Sequence, residues 1–303
     1  MLIIIEQTLV KNFAHENIKN SIINEKENFL KTNEFYEQEF SKKQPIFFIG
    51  SSHVGRINIM QVNNSELLKN SVEIFNLAKE ADTPFKRLNE LEQIISVHPD
   101  IVFYGISYRE FSFPQQNEQT SILPESINKD SCNTWINTDG IVPSNPKAIT
   151  FQILKKFMGE IKNYKTMPNT PFVIYPVDPI IKLDEELKKE TPLTKWNDPI
   201  ETKKNICAIK KIISELEKNE IKVVIFTTPL HQYYLDLLTK NQKNSFLQLQ
   251  KELKQQFKIT IYSFENKYKE SDMWEDLTHV STNKNVTIFN DDIIEMVTLE
   301  SQK

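Results

Sequence analysis

Glycine is nearly missing from this chain, with five residues in 303. Two of them, Gly50 and Gly55, bracket a serine pair in PIFFIGSSHVGRIN (45–58), so their placement there asks for a reason. Arginine is as scarce, occurring only at Arg56, Arg87 and Arg109, and lysine supplies nearly all the positive charge. The two cysteines, Cys132 and Cys207, lie far apart without metal-ligand spacing; one disulfide is open to them, but two unpaired thiols is the preferred reading. No apolar run approaches the roughly 20 residues of a membrane span. The longest start, Leu2 to Ile5, makes the chain soluble as it stands, although MLIII suits the trimmed end of an anchor or signal segment in a longer, extracytoplasmic product. A net charge of -4 and a pI near 5.9 provide no basic face of the kind a dedicated nucleic-acid binder uses.

What is present describes an ordinary globular protein: 39% hydrophobic and 26% charged residues, with a mean hydropathy of -0.45. Residues 1–44 are polar with apolar residues such as Ile18, Ile22, Phe29 and Phe35 at loose helical intervals, and read as an N-terminal helical segment. From 45 to 303 short β-rich runs alternate with helical stretches. The runs are IFFIG (46–50), VEIFNL (72–77), DIVFYG (100–105), PFVIY (171–175), KVVIFT (222–227) and KITIYSF (258–264). Helices are expected near 53–62, 83–97, 147–164, 199–219, 231–257 and 283–298. Strand followed by helix, with continuously apolar strands, predicts an α/β three-layer αβα sandwich around a mostly parallel sheet. Residues 111–146, with four prolines among Asn, Ser and Thr, read as an irregular insertion, and 182–199 as a surface crossing.

In an open parallel sheet ligands bind beyond the carboxyl ends of the strands, which is where GSSH falls. A serine at the mouth of a helix there is ready for acyl chemistry if a base is close, although such a serine often only caps the helix. A base is available in MWEDLTHVSTNKN (273–285): Asp276 and His279 are three apart, a spacing that on one turn lets the carboxylate orient the imidazole.

With these two blocks the chain resembles the SGNH/GDSL hydrolase superfamily, and is most similar to its subgroups linked to surface-polymer acylation. IGSSHVG matches the first block and EDLTHVS the last. The resemblance implies an SGNH-hydrolase/flavodoxin-like fold with Ser52 as nucleophile, His279 as base and Asp276 as orienting acid. Asn76 and Ala81, in FNLAKEADTPF (75–85), fall in the second block, Ala81 where relatives place a glycine whose N–H serves the oxyanion hole. The third block departs: Gly105-Ile106-Ser107 stands where the family has Gly-x-Asn, so Ser107 is expected to complete an oxyanion hole with the N–H groups of Ser52 and Ala81. Gly50 is expected to open the nucleophile turn and Gly55 to allow close packing behind it.

Asn76, Arg109 and His231 are candidate substrate contacts; Arg109 and His231 fall at the same sheet edge, with an ion pair to Glu110 or Asp82, and a helix start, as their respective alternatives. A zinc site from His53, His231 and His279 lacks any supporting spacing, so no metal and no cofactor is expected. The expected function is serine-dependent hydrolysis or transfer of an O-acyl group on a carbohydrate, surface polymer or small ester. The alternatives are a catalytically degenerate glycan- or partner-binding member, and an unrelated flavodoxin-like scaffold in which Ser52 merely caps a helix.

Overall fold

The computed structural model describes residues 35–37, 45–69, 71–111, 113, 132, 164–165, 169–172, 175–176, 180–189 and 199–303. The chain divides into two compact units, Met1–Glu39 and Phe40–Lys303. In the first, only residues 35–37 are described, and they are helical. The rest of the expected N-terminal helix, most of the 111–146 insertion and all but the last residue of the helix expected over 147–164 lie outside the described residues.

The second unit is built on a five-stranded, all-parallel sheet. Its strands are β1 (Pro45–Ile49), β2 (Glu73–Asn76), β3 (Ile101–Ile106), β6 (Lys222–Thr227) and β7 (Thr260–Ser263), in the order β2-β1-β3-β6-β7. Every residue of β1 and β3 is buried, so both faces of the sheet centre are covered. That is why these strands read as unbroken apolar runs rather than alternating ones. Aromatic rings tie the three central strands: Phe48 stacks on its register neighbour Phe103 at 4.9 Å and meets Phe226 edge-on at 5.8 Å. The strand order reverses between β1 and β3, which makes the carboxyl ends of those two strands the switch point where such sheets bind ligands.

Several of the expected elements differ. The 171–175 run does not join the parallel sheet; Tyr175–Pro176 (β5) pairs antiparallel with Tyr164–Lys165 (β4) in a separate two-stranded ladder. The single helix expected over 231–257 is two, Gln232–Leu237 and Lys240–Phe257. Leu238 is extended, and Thr239 restarts the chain with a capping box in which its hydroxyl accepts from Gln242 N while the Gln242 side chain accepts from Thr239 N.

The cysteines also correct the expectation of free thiols. Cys207, on the inner face of the helix Pro199–Lys218, is disulfide-bonded to Cys132 across 75 residues, with Cα atoms 5.3 Å apart. Sequence separation hid a proximity that only folding creates. Closing so long a loop constrains the unfolded chain, so Cys207→Ala should lower stability by about 2–4 kcal/mol in urea unfolding. Reductant should bring the wild type down to the variant and leave the variant unchanged.

Candidate active site

The turn after β1 is tight because two strand ends and one side chain meet there. Gly50 has φ +143°, and a Cβ at that position would lie 2.5 Å from Val54 Cγ2 and 2.6 Å from the Gly105 carbonyl oxygen. A Cβ on Gly105 would lie 2.3 Å from Val54 Cγ2 and 2.6 Å from Phe226 Cζ. Glycine at both positions therefore lets β1, β3 and Val54 close up. A tight approach of the same kind is met at Gly105. The helix expected from 53 is a three-residue 3-10 turn, Val54–Arg56, and the α-helix starts only at Ile59 behind an Asn58 cap. Ser52 thus sits on a turn and caps no helix.

Ser52 Oγ lies 2.8 Å from His279 Nε2, and His279 Nδ1 lies 2.7 Å from Asp276 Oδ2. The Asp276–His279 pair occupies a loop closed by an antiparallel bridge between Trp274 and Val280, in place of the helical turn expected. Within it Asp276 Oδ1 accepts from Thr278 N and His279 N, both at 2.8 Å, and from Thr278 Oγ1 at 3.0 Å, so the carboxylate is fixed by its own turn. Burial would raise the Asp276 pKa, but the His279 ring and the Thr278 donors outweigh it and hold the group well below the usual carboxylate range. For His279, burial is the strongest influence and lowers the pKa to about 4; Asp276 opposes this, while His53 and Arg56 add to it. The ring is therefore neutral at physiological pH, with Nε2 free to take a proton.

Three segments are pinned around this chain of contacts, and each arginine takes part. Arg56, on the nucleophile turn, reaches Glu275 on the histidine loop at 2.9 Å. Arg109 donates to Thr278 Oγ1 at 3.2 Å, linking the end of β3 to the same loop; the pairing with Glu110 or Asp82 considered from the sequence does not form. Arg87, with none of its surface exposed, ion-pairs with Asp82 and donates to the carbonyls of Leu77 and Gly50. The last contact holds the residue that opens the turn.

The remaining expected site residues are used otherwise. Ser107 is buried, and its hydroxyl donates to Glu110 Oε2 at 2.5 Å, so its one proton is not available to an oxyanion. Asn76 is fully buried: Nδ2 donates to Val54 O at 2.9 Å and Oδ1 accepts from Ala78 N at 3.1 Å, which bind the second block to the Ser52 turn. His231 caps the helix Gln232–Leu237, Nδ1 accepting from Tyr233 N, while Nε2 faces Asp184 Oδ1 at 3.2 Å. Both of its nitrogens are occupied, which removes it as a substrate contact. Ala81 adopts φ +51°, the left-handed backbone that its glycine-like position calls for, despite its Cβ. The N–H groups of Ser52 and Ala81 have no acceptor among the described residues.

Sequence reasoning missed Glu110, His53 and the Arg87–Asp82 pair. Glu110 is buried, yet its pKa is held at about 2: burial pushes it up, and hydrogen bonds and charge from His53, with the Ser107 and Ser51 hydroxyls, pull it further down. The available signal was the scarcity of arginine, since all three copies converge here. Among the described residues no group of three or more His, Cys, Asp or Glu side chains is arranged to hold a metal ion. No helix among them is long and apolar enough to cross a membrane.

No protein-family model matches the chain, and no curated protein matches it significantly. Solved structures that align with it include a lipase/acylhydrolase from Enterococcus faecalis, at TM-score 0.45 and 9% identity over 85% of this chain and 96% of that one. An acetyl xylan esterase aligns at TM-score 0.43 and 10% identity over 85% and 98%. A GDSL-like lipase from Bacteroides thetaiotaomicron aligns at TM-score 0.42 and 11% identity over 89% and 97%. At these values the alignments carry no weight for chemistry, which has to be read from the side chains of this chain.

Removing Arg87 strands the Asp82 carboxylate and the Leu77 carbonyl in the interior. Arg87→Ala should cost roughly 3–5 kcal/mol of stability, measured by urea unfolding.

Proposed function

We propose that the chain is a divergent SGNH/GDSL-type enzyme that hydrolyses or transfers an O-acyl group on a carbohydrate or surface polymer through an acyl-enzyme on Ser52. The observation that carries this reading is the unbroken contact from Ser52 Oγ through His279 to Asp276, at 2.8 Å and 2.7 Å. As Ser52 Oγ bonds to the ester carbonyl carbon, its proton passes to His279 Nε2. When the carbon–oxygen bond to the leaving alcohol breaks, that proton goes to the alcohol. Water or an acceptor alcohol then attacks the acyl carbon, gives its proton to His279, and Ser52 recovers a proton as the acyl group departs. Asp276 holds the ring in the tautomer with Nε2 as acceptor. The free N–H groups of Ser52 and Ala81 are the donors proposed for the developing oxyanion. The reading calls for no metal or organic cofactor.

One observation favours a catalytically degenerate, ligand-binding relative instead. The Ser107 proton is committed to Glu110, and a lost oxyanion donor costs roughly 3–4 kcal/mol in the transition state.

A fluorophosphonate probe separates the two. Covalent labelling of the wild type that disappears in folded Ser52→Ala is expected, together with a fall of about 10⁴-fold or more in acetate release from acetylated sugars. A folded wild type that stays unlabelled ends the enzymatic reading. Because only neutral His279 accepts the proton, the rate should fall as pH drops through about 4. That acid limb lies below the ~6.5 of an unperturbed imidazole and is measured as kcat/KM against pH.

A further inference from the structure

Against the proposed base lies a second histidine–carboxylate pair that the reaction above does not use. His53, only 4% exposed, stacks on His279 with ring centroids 4.7 Å apart and planes inclined by 29°. Its Nδ1 lies 3.0 Å from Ser51 Oγ, 3.3 Å from Glu110 Oε1 and 3.4 Å from Ser107 Oγ. Each hydroxyl owns a single proton, and both donate it to Glu110. An ionised carboxylate only accepts, so all three atoms facing Nδ1 present lone pairs and Nδ1 must carry a hydrogen. The other ring nitrogen, Nε2, is buried with no hydrogen-bond partner among the described residues. The ring is thus held along one edge by Glu110 and its two serines, and its remaining contact of consequence is the face against His279.

We propose that His53, oriented by Glu110, is a positioning residue for His279: its ring backs the base so that Nε2 stays on Ser52, and it opposes a second proton on that base. The proposal rests on the reading of His279 as the base. Several groups face His279. Asp276, Thr278 and Glu275 come from its own loop, Arg56, paired with Glu275, from the nucleophile turn, and Arg109 from the end of β3 through Thr278. His53, with Glu110 behind it, is the one group whose ring stacks on His279 among the described residues. Asp276 favours the charged form of His279, whereas burial, His53 and Arg56 disfavour it. The His53 ring lies 4.7 Å from that of His279, and at that separation positive charge on one ring opposes it on the other. Because His53 follows Ser52 directly in sequence, one turn places both the nucleophile and the residue that backs its base.

Two variants separate the face from the hydrogen bond. His53→Phe keeps a flat ring and loses the donor, leaving Glu110 with the Ser51 hydroxyl and the Ser107 hydroxyl and N–H. His53→Asn keeps a donor for Glu110 and loses the ring. Histidine Cε1–H NMR titration and kcat/KM pH profiles on an acetylated sugar are measured for both and for the wild type. In both variants His279 should titrate about one pH unit higher, and the acid limb should move with it. The plateau kcat should stay within about threefold for His53→Phe. It should drop about tenfold or more for His53→Asn with KM little changed, as expected when the base loses its alignment. If His53 only stabilises the fold, activity follows the retained donor, His53→Asn outperforms His53→Phe, and the His279 titration stays at its wild-type position; that pattern overturns the proposal. The NMR titration needs no turnover, so a wild type without Ser52-dependent chemistry would remove the enzymatic reading while the His53–His279 coupling remains measurable.

Discussion

Three buried or half-buried carboxylates at the carboxyl edge of the sheet, Asp82, Glu110 and Asp276, set the terms for everything around them. A carboxylate removed from water is tolerated only where donors replace its hydration. Asp82 is answered by Arg87, Glu110 by two serines, a backbone N–H and His53, and Asp276 by its own loop and His279. The donors come from different stretches of chain, so satisfying the charges also ties those stretches together. The same hydrogen bonds that make burial tolerable hold the nucleophile turn, the second block and the histidine loop in one place.

The two histidines at this edge have parallel surroundings and different tasks. Each has a carboxylate on Nδ1, but only His279 presents Nε2 to a hydroxyl, that of Ser52. The interior around His279 favours its neutral form, which suits the role of base proposed for it. Ser107 meanwhile serves Glu110, so the departure from Gly-x-Asn in the third block changes more than one donor. A residue that would face the substrate in the resemblance here supports a buried carboxylate.

Much of this was legible in the sequence, and the misses have physical causes. The apolar runs that became β1, β3 and β6 could be read because strands buried on both faces have no polar side to mix the signal. Ser52 and His279 could be paired because two short blocks of chemistry stood at opposite ends of an α/β rhythm. The break at Leu238–Thr239 was written in the sequence as Thr-x-x-Gln, a capping box overlooked beside the longer helical pattern. Asn76 and His231 were misread because residue type does not reveal which atoms a side chain will meet; Asn76 is taken up by main-chain partners, and His231 by a main-chain N–H and the Asp184 carboxylate.

By itself the sequence determined the kind of fold, the turn at Gly50 and the presence of a serine, an imidazole and a carboxylate in the blocks that fold brings together. Local composition suffices for these, since periodicity and backbone permissiveness are properties of neighbouring residues. Tertiary structure alone decided that Cys132 meets Cys207, that Arg87 serves the Gly50 carbonyl, that Ser107 turns to Glu110, and that His53 lies against His279. Each of these depends on which distant groups share an interior of low dielectric, where an unpaired charge or donor is costly enough to select its partner across the fold.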